Sequence, residues 1–262
     1  VNVFLSLPRK EFRLPQKTTG IDVSSHSGIP NYAAVKAAGY AFVIPRTSYG
    51  TTIDALAAKQ VKAARAAGLW VLAGYHYFKS DVDPLAQAAH AVKVMRDLDL
   101  PAVLPDVEPR DPQIPSDAPS TTRPLFLAHR AAIAELSGVD SVYGGSSYLA
   151  SLQLPPELGA VPLWLAHYGA KSPTIPKPWT TCAIWQYAGN VQLAGAKVDL
   201  NSSAHTLVEL QAMFAPKPAP AAPKWDAPYE VLSGVATVAA QASGHGIGGA
   251  EDFRNIDEGP PR

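Results

Sequence analysis

Cysteine is almost absent: the chain of 262 residues has one, Cys182. A lone thiol can form no internal disulfide and no zinc site built on paired cysteines, and it is expected to be a small core residue. The seven histidines fall in no H-x-H or H-E-x-x-H spacing, so no catalytic metal is expected. Excess charge is missing as well, 22 Lys and Arg balancing 22 Asp and Glu. Phosphate binding needs a basic surface, which argues against nucleic acid as a partner. No run approaches the roughly 20 apolar residues of a membrane-spanning helix. The opening "VNVFLSLPRKEFRLPQ" has only a short apolar run before its charges and does not read as a signal peptide. Nor is there a G-x-G-x-x-G fingerprint. The "GGSS" at 144–147 is the only glycine pair near a strand–helix turn, so a dinucleotide-binding open sheet is disfavoured and no cofactor is expected.

What the chain does have is rhythm, beginning at Thr18. "TTGIDVS" reads as a strand, and Asn31 caps a short helix that Gly39 stops. "YAFVIPRTS" is a second strand, in which Pro45 suggests a bulge or a strand end. Asp54 is placed to cap the next helix and Gly68 to end it; "LWVLAGYHYF" is a third strand. A helix from Pro84 to Asp97 follows, then the strand "PAVLPDVE" and a helix over 122–136 that stops at Gly138. "SVYGGSS" is a fifth strand, before the short helical "SYLASL". After that, "PLWLAHY", "CAIWQYAG" and "KVDL" leave no room for long helices between them. The expected architecture is α/β: a TIM-like barrel of five βα units followed by three strands, over 18–214. That is short of the roughly 250 residues of a full barrel because the last helices are dropped. Residues 1–17 read as an extension and 215–224 as a Pro/Ala-rich linker. The glycine-rich, acidic 225–262 is too short to bury a core alone.

The stretch "LPDVEP" at 104–109 puts two acids one residue apart in a strand. Residues i and i+2 share a strand face, so Asp106 and Glu108 project together. Like charges that close cost energy unless one holds a proton or both serve chemistry. The competing reading is a solvated strand edge or a surface ion-pair cluster.

Active sites of such barrels lie at the C-terminal ends of the strands. Those ends read Asp22; Ser48 and Tyr49; Tyr75 to Tyr77; Asp106 and Glu108; Tyr143; His167 and Tyr168; Gln186 and Tyr187; and finally Asp199. Four carboxyls and a ring of aromatics converge on one mouth. Acids donate protons and stabilise positive charge, and aromatic faces stack on sugar rings, so the combination points to glycoside hydrolysis. The expected catalytic set is Glu108, Asp106, Asp22 and Asp199. The expected substrate contacts are Tyr49, Tyr75, Tyr77, Tyr143, Trp164, Tyr168, Trp185 and Gln186. Trp164, Trp185 and Tyr143 read equally well as core aromatics.

The motifs "GIDVSSHSG", "GYAFVIPRTSYGT", "AGLWVLAGYHYF", "LPDVEP", "PLWLAHYG" and "WQYAG…VDLN" resemble, in order, those of the family 25 glycoside hydrolases. These are lysozymes that cut between N-acetylmuramic acid and N-acetylglucosamine. The resemblance covers nearly all of 18–214 and implies the same barrel of five βα units and three strands. It makes Glu108 the general acid and Asp106 the group that assists the charged intermediate, with Asp22 and Asp199 completing an acidic floor. It implies bacterial peptidoglycan as the partner and action at the cell wall; a monomer is the expected state, which the sequence itself does not fix. With no signal peptide read, a phage-type lysis route or carriage on a virion is expected, unless a leader has been removed. Three positions depart from the family pattern: Ser27 stands where it has glutamine, Tyr49 where it has the glutamate of K-A-T-E-G, and Pro45 is unusual. Family 18 chitinases share a D-x-E ending but carry an earlier aspartate, where this chain has Ala102, Val103 and Leu104. Two functions remain, a peptidoglycan muramidase and a catalytically silent glycan-binding barrel.

Overall fold

The computed structural model describes residues 18–109 and 118–217. The expectations for 1–17, for 225–262 and for the linker beyond Lys217 lie outside them. The described chain runs β1 (Thr18–Val23), α1 (Tyr32–Ala37), β2 (Phe42–Tyr49), β3 (Thr52–Ile53), α2 (Ala57–Ala66), β4 (Trp70–Val71) and β5 (Gly74–Tyr77). It continues with α3 (Pro84–Asp97), β6 (Val103–Asp106), α4 (Pro119–Ser137), β7 (Val142–Gly145) and α5 (Ser146–Leu152). Last come β8 (Leu163–Ala166), β9 (Ile184–Leu193), β10 (Ala196–Ser203) and α6 (Leu207–Met213).

Eight of these strands close a barrel, in the order β1, β2, β5, β6, β7, β8, β9, β10 and back to β1. The five βα units and three terminal strands expected from the sequence are borne out. Every neighbouring pair is parallel except those of β10, which runs antiparallel to both β9 and β1. The tiny β3 folds back on the end of β2 as a hairpin. The expected third strand is two pieces, β4 and β5, both on β2.

Strand alternation sorts the core into layers. Ile21, Val23, Val43, Val103, Val198 and Leu200 point outward, against Val35 of α1, Val61 of α2 and Val92 of α3. Val142, Leu163 and Leu165 pack outward on Phe126 of α4 and Leu149 of α5. Phe42, Ile44, Leu104, Trp164 and Ile184 fill the interior, joined by Leu210 and Phe214 from the final helical turns. Since Phe42, Ala102 and Val139 of that cluster lie at the starts of their strands, α6 stoppers the end of the barrel away from the carboxyls. Gly20 of β1 is required there: a Cβ on it would come within 2.3 Å of the Phe42 ring.

The caps follow local chemistry. Asn31 Oδ1 accepts from the Ala34 N–H at the start of α1, and Asp83 Oδ1 accepts from the N–H groups of Leu85 and Ala86 before Pro84 opens α3. Asp54 is not the cap of α2; that position is Leu56. Its carboxylate instead binds the Leu56 and Ser25 N–H groups and Arg46.

Between sheet and helices lies a buried pair of imidazoles, His76 and His129, with ring centres 4.9 Å apart. His76 Nδ1 meets Ser48 Oγ at 2.8 Å and its Nε2 meets Gln87 Oε1 at 3.3 Å. His129 Nδ1 reaches the Pro84 carbonyl at 3.1 Å, while its Nε2 is buried without a partner among the described residues. Burial pushes His129 down to about 4 and His76 well below its usual value. The unfolded chain therefore takes up protons between about pH 6.5 and 4 that the folded protein refuses, so stability from this pair is present above that window and falls as pH drops through it. The buried acids of the barrel mouth act in the opposite sense, so the pair is isolated by comparison with His129→Gln. In urea titrations the stability difference between wild type and variant is expected to shift against the wild type by a few kcal/mol from pH 7 to pH 4. A pH-independent difference would refute the account.

Candidate active site

Parallel strands present their C-terminal residues at one mouth, and there the chain places a cavity of about 150 Å³ lined by Asp22, Arg46, Tyr75, Tyr77, Asp106, Glu108, Tyr143, Trp164, Tyr168, Gln186 and Asp199. All four expected acids are therefore brought together. Of the expected contacts, Tyr75, Tyr77, Tyr143, Trp164, Tyr168 and Gln186 line the cavity, and Tyr49 and Trp185 do not. The Tyr49 ring instead lies under the Arg46 guanidinium, 5.1 Å from its centre. Trp185 donates its indole N–H to the His167 carbonyl and packs on Tyr187. Alternation explains the second case: Gln186 points into the barrel, so its neighbours Trp185 and Tyr187 point out.

Asp106 is the last residue of β6 and pairs with Tyr143. Val107 turns into the core and bonds its N–H to the Tyr143 carbonyl. Glu108 thus stands beyond the strand proper, yet it returns to the same cavity as Asp106. The route of Asp199 differs from the one expected. It does not end a parallel strand; β10 runs backwards, and Asp199 reaches the mouth by pairing directly with Asp22.

Gln186 organises the floor. Its Nε2 donates to Asp22 Oδ2 at 2.8 Å and to Asp199 Oδ2 at 3.3 Å. Its Oε1 accepts from the hydroxyls of Tyr143 and Tyr168, both at 2.8 Å. Asn201 Nδ2 adds a second donor to Asp22 Oδ2 at 2.7 Å, and Asn201 Oδ1 accepts from the Trp164 indole N–H at 2.8 Å. Trp164 is thereby a buried floor rather than an open platform. Tyr143 lies 4.2 Å from it, centre to centre, and directs its hydroxyl toward Glu108 Oε1 at 3.4 Å as well.

So many carboxyls in one dry recess cannot all ionise together. Burial, then the Asp199 charge, pushes Asp22 up to about 8 against the pull of its two amide donors. Asp106, with burial first and Glu108 next, is raised well above the carboxylate range. Burial also raises Glu108 and Asp199. An acid that still holds its proton near neutrality, beside carboxyls ready to balance positive charge, is the equipment for cleaving a glycosidic bond.

The chain matches the family described as "Glycosyl hydrolases family 25" over residues 21–196. It belongs to that family. Among solved structures, a bacterial lysozyme from Streptomyces coelicolor superposes with a TM-score of 0.65 at 22% identity, over 75% of this chain and 96% of that one. A family 25 lysozyme from Aspergillus fumigatus gives 0.65 at 22% identity, over 76% and 99%. Among curated proteins, the Caenorhabditis elegans "Lysozyme-like protein 5" is 37% identical over 79 residues, which is 30% of this chain and 36% of that protein. The chain thus aligns with about a third of the length of that relative.

Two members of this family 25 site lay outside the sequence expectation. Asn201 was visible in the "VDLN" motif but carried no role. Arg46 carries no role in the sequence reading, although it has the parity of the inward Phe42 and Ile44; the register against β5 shifts only after it, between Arg46 and Ser48. Arg46 pairs with Tyr75 inside the barrel, whereas Ser48 pairs with the outward His76. Among the described residues no three His, Cys, Asp or Glu side chains are grouped as a metal ion would need.

Proposed function

We propose that this glycoside hydrolase is a muramidase, cleaving the β-1,4 bond between N-acetylmuramic acid and N-acetylglucosamine in bacterial peptidoglycan. The observation that carries the reading is the return of Asp106 and Glu108 to one cavity with Asp22 and Asp199 in a family 25 chain. Glu108 is the general acid: it is half-buried, raised by burial, and accessible from the mouth. Tyr77, Tyr143 and the half-exposed Tyr168 supply the faces and hydroxyls that meet the sugars. Tyr49 and Trp185 are withdrawn from direct contact with the reacting ring. Action is at the cell wall, as a monomer, with release by phage-type lysis the favoured route. No described helix is long and apolar enough to cross a membrane.

Mass spectrometry of fragments released from purified peptidoglycan tests the assignment. Products with reducing-end N-acetylmuramic acid, absent with Glu108→Gln, are expected. Reducing-end N-acetylglucosamine would make the enzyme a glucosaminidase, and no release at all a silent barrel.

The acid pair also bears on stereochemistry. Inversion needs two carboxyls on opposite sides of the sugar, about 6.5–9.5 Å apart, and retention with a protein nucleophile about 5–5.5 Å. Asp106 and Glu108 come from one strand end and approach from one side, which suits neither scheme. The 2-acetamido oxygen of the substrate is the alternative nucleophile, with Asp106 orienting that group while Glu108 protonates the leaving oxygen and then activates water. Proton NMR of the first product is expected to show the β anomer. An initial α anomer would mean inversion, with Asp22 or Asp199 as the base.

A further inference from the structure

The "WQYAGN" stretch of β9 contributes more to the mouth than Gln186. In an even antiparallel ladder each residue of one strand faces one of the other, yet β9 and β10 lose step here. Val191 pairs with Val198 and Ala188 with Leu200, so two residues, Gly189 and Asn190, stand opposite Asp199 alone. That is a β-bulge, and bulges re-aim the groups beside them. This one sits on an acid of the cavity lining.

Its geometry is specific. Asn190 takes the left-handed conformation, at φ 57°, and its backbone N–H donates to Asp199 Oδ1 at 2.6 Å. Oδ2 of the same carboxyl receives the longer bond from Gln186 Nε2, at 3.3 Å. Both oxygens of Asp199 are held, and the bulge supplies the shorter hold. Gly189 keeps the approach open: a Cβ there would already lie 3.4 Å from both Asp199 Oδ1 and the Tyr168 ring. The Asn190 side chain takes no part in this contact; the residue is exposed, and asparagine suits the position because it tolerates φ above zero. Asp199 needs such a hold. It stands directly across from Asp22, so the two carboxyls repel whenever both are charged. Asp22 meanwhile takes the shorter bond from Gln186 and the one from Asn201.

We infer that Asn190 is a positioning residue of the active site: its left-handed backbone, at the bulge, fixes the Asp199 carboxyl at the cavity through a main-chain hydrogen bond. In a regular ladder Asp199 would keep only its longer bond to Gln186 and would be free to swing away from Asp22. A backbone N–H cannot rotate out of the way as a side chain can, and it only donates, so it holds an acceptor oxygen in one place. The inference rests on the reading of Asp199 as one of the acids that serve glycoside cleavage. It gives the glycine–asparagine step of the motif a purpose.

The test is a series at one position, Asn190→Gly, Asn190→Ala and Asn190→Val, with kcat and KM measured on soluble glycan fragments. Glycine adopts φ above zero without strain, alanine less readily and a β-branched residue least. Asn190→Gly is expected to stay within about twofold of wild type. Asn190→Val should lower kcat at least about tenfold, where a displacement of about 1 Å can cost about 10²-fold. KM should stay within about twofold, and Asn190→Ala should fall in between. On an Asp199→Ala background the same substitutions should change kcat by less than about twofold, because residues that act through one contact are not additive. Equal losses on both backgrounds, or a kcat that ignores the series, would overturn the inference. Should Asn190→Val fail to fold, the glycine and alanine variants decide it. Amide hydrogen exchange followed by NMR on the full chain reads the contact without turnover. The Asn190 amide is expected to be protected in wild type and in Asn190→Gly, and to lose that protection in Asp199→Ala. If the wild type cuts no glycan but the protection depends on Asp199, the muramidase reading fails and the hold on Asp199 stands. Protection that persists without the Asp199 carboxyl sinks the inference alone.

Discussion

Glu108→Gln is expected to reduce wall hydrolysis by at least about 10²-fold, the scale of a positioned general acid, while leaving the unfolding midpoint nearly unchanged. The leaving oxygen of a glycosidic bond departs poorly without a proton, and Glu108 is the acid of the pair that opens toward the mouth. Glutamine keeps the volume and the hydrogen bond from the Tyr143 hydroxyl but has no proton to give. Nothing in the core depends on the Glu108 side chain, since Val107, not Glu108, fills the space behind the strand. A turbidity assay on bacterial walls, with a urea titration of both proteins, separates the two effects. Near-normal lysis by the variant would remove Glu108 from its role and point to Asp22 or Asp199 as the donor.

The second large effect belongs to a residue that need transfer no proton. Gln186→Leu is expected to cost on the order of 2–4 kcal/mol of stability, because it leaves two tyrosine hydroxyls and two carboxyls without their shared partner in a buried site. The cost is set by the groups left behind rather than by the one removed. Activity should fall with it, as Asp22 loses one of its two amide donors and Tyr143 loses the bond that fixes its hydroxyl. Urea unfolding and the rate on soluble fragments check both. A variant as stable as wild type would mean that water replaces the amide, and the floor would be less dry than its burial indicates.

The parts of the fold that were legible in the sequence are those governed by local rules. Asn31 and Pro84 announce helix starts through a side-chain hydrogen bond and a φ preference, and Gly138 ends α4 at φ 74°. Asp106 and Glu108 could be paired because alternation needs only adjacent residues. The direction of β10 could not be read this way. "KVDL" has the same alternation run forwards or backwards, and only the short turn after β9, with Ala194 and Gly195 at positive φ, reverses it. Arg46 keeps the parity of Phe42 and Ile44 and was legible as inward; what could not be read was that Ser48, beyond the bulge, faces out beside His76. Tyr49 ends β2 in register with Tyr77, but its ring turns to the Arg46 guanidinium instead of the cavity, a side-chain contact that strand position does not foretell.

The reversed β10 also has a consequence for how the molecule comes into being. It closes the barrel by joining the last strand to the first, and Asn201 bonds Asp22 across 179 positions of sequence. Contacts that distant form late, since the loop entropy must be overcome before they give any return. A chain emerging from the ribosome would therefore carry β1 with one edge unpaired, and half of its acidic floor missing, until Ser203 has been made. Catalytic competence and barrel closure arrive in one step, which makes an incomplete chain incapable of attacking glycan and leaves its open edges as the places where it would aggregate.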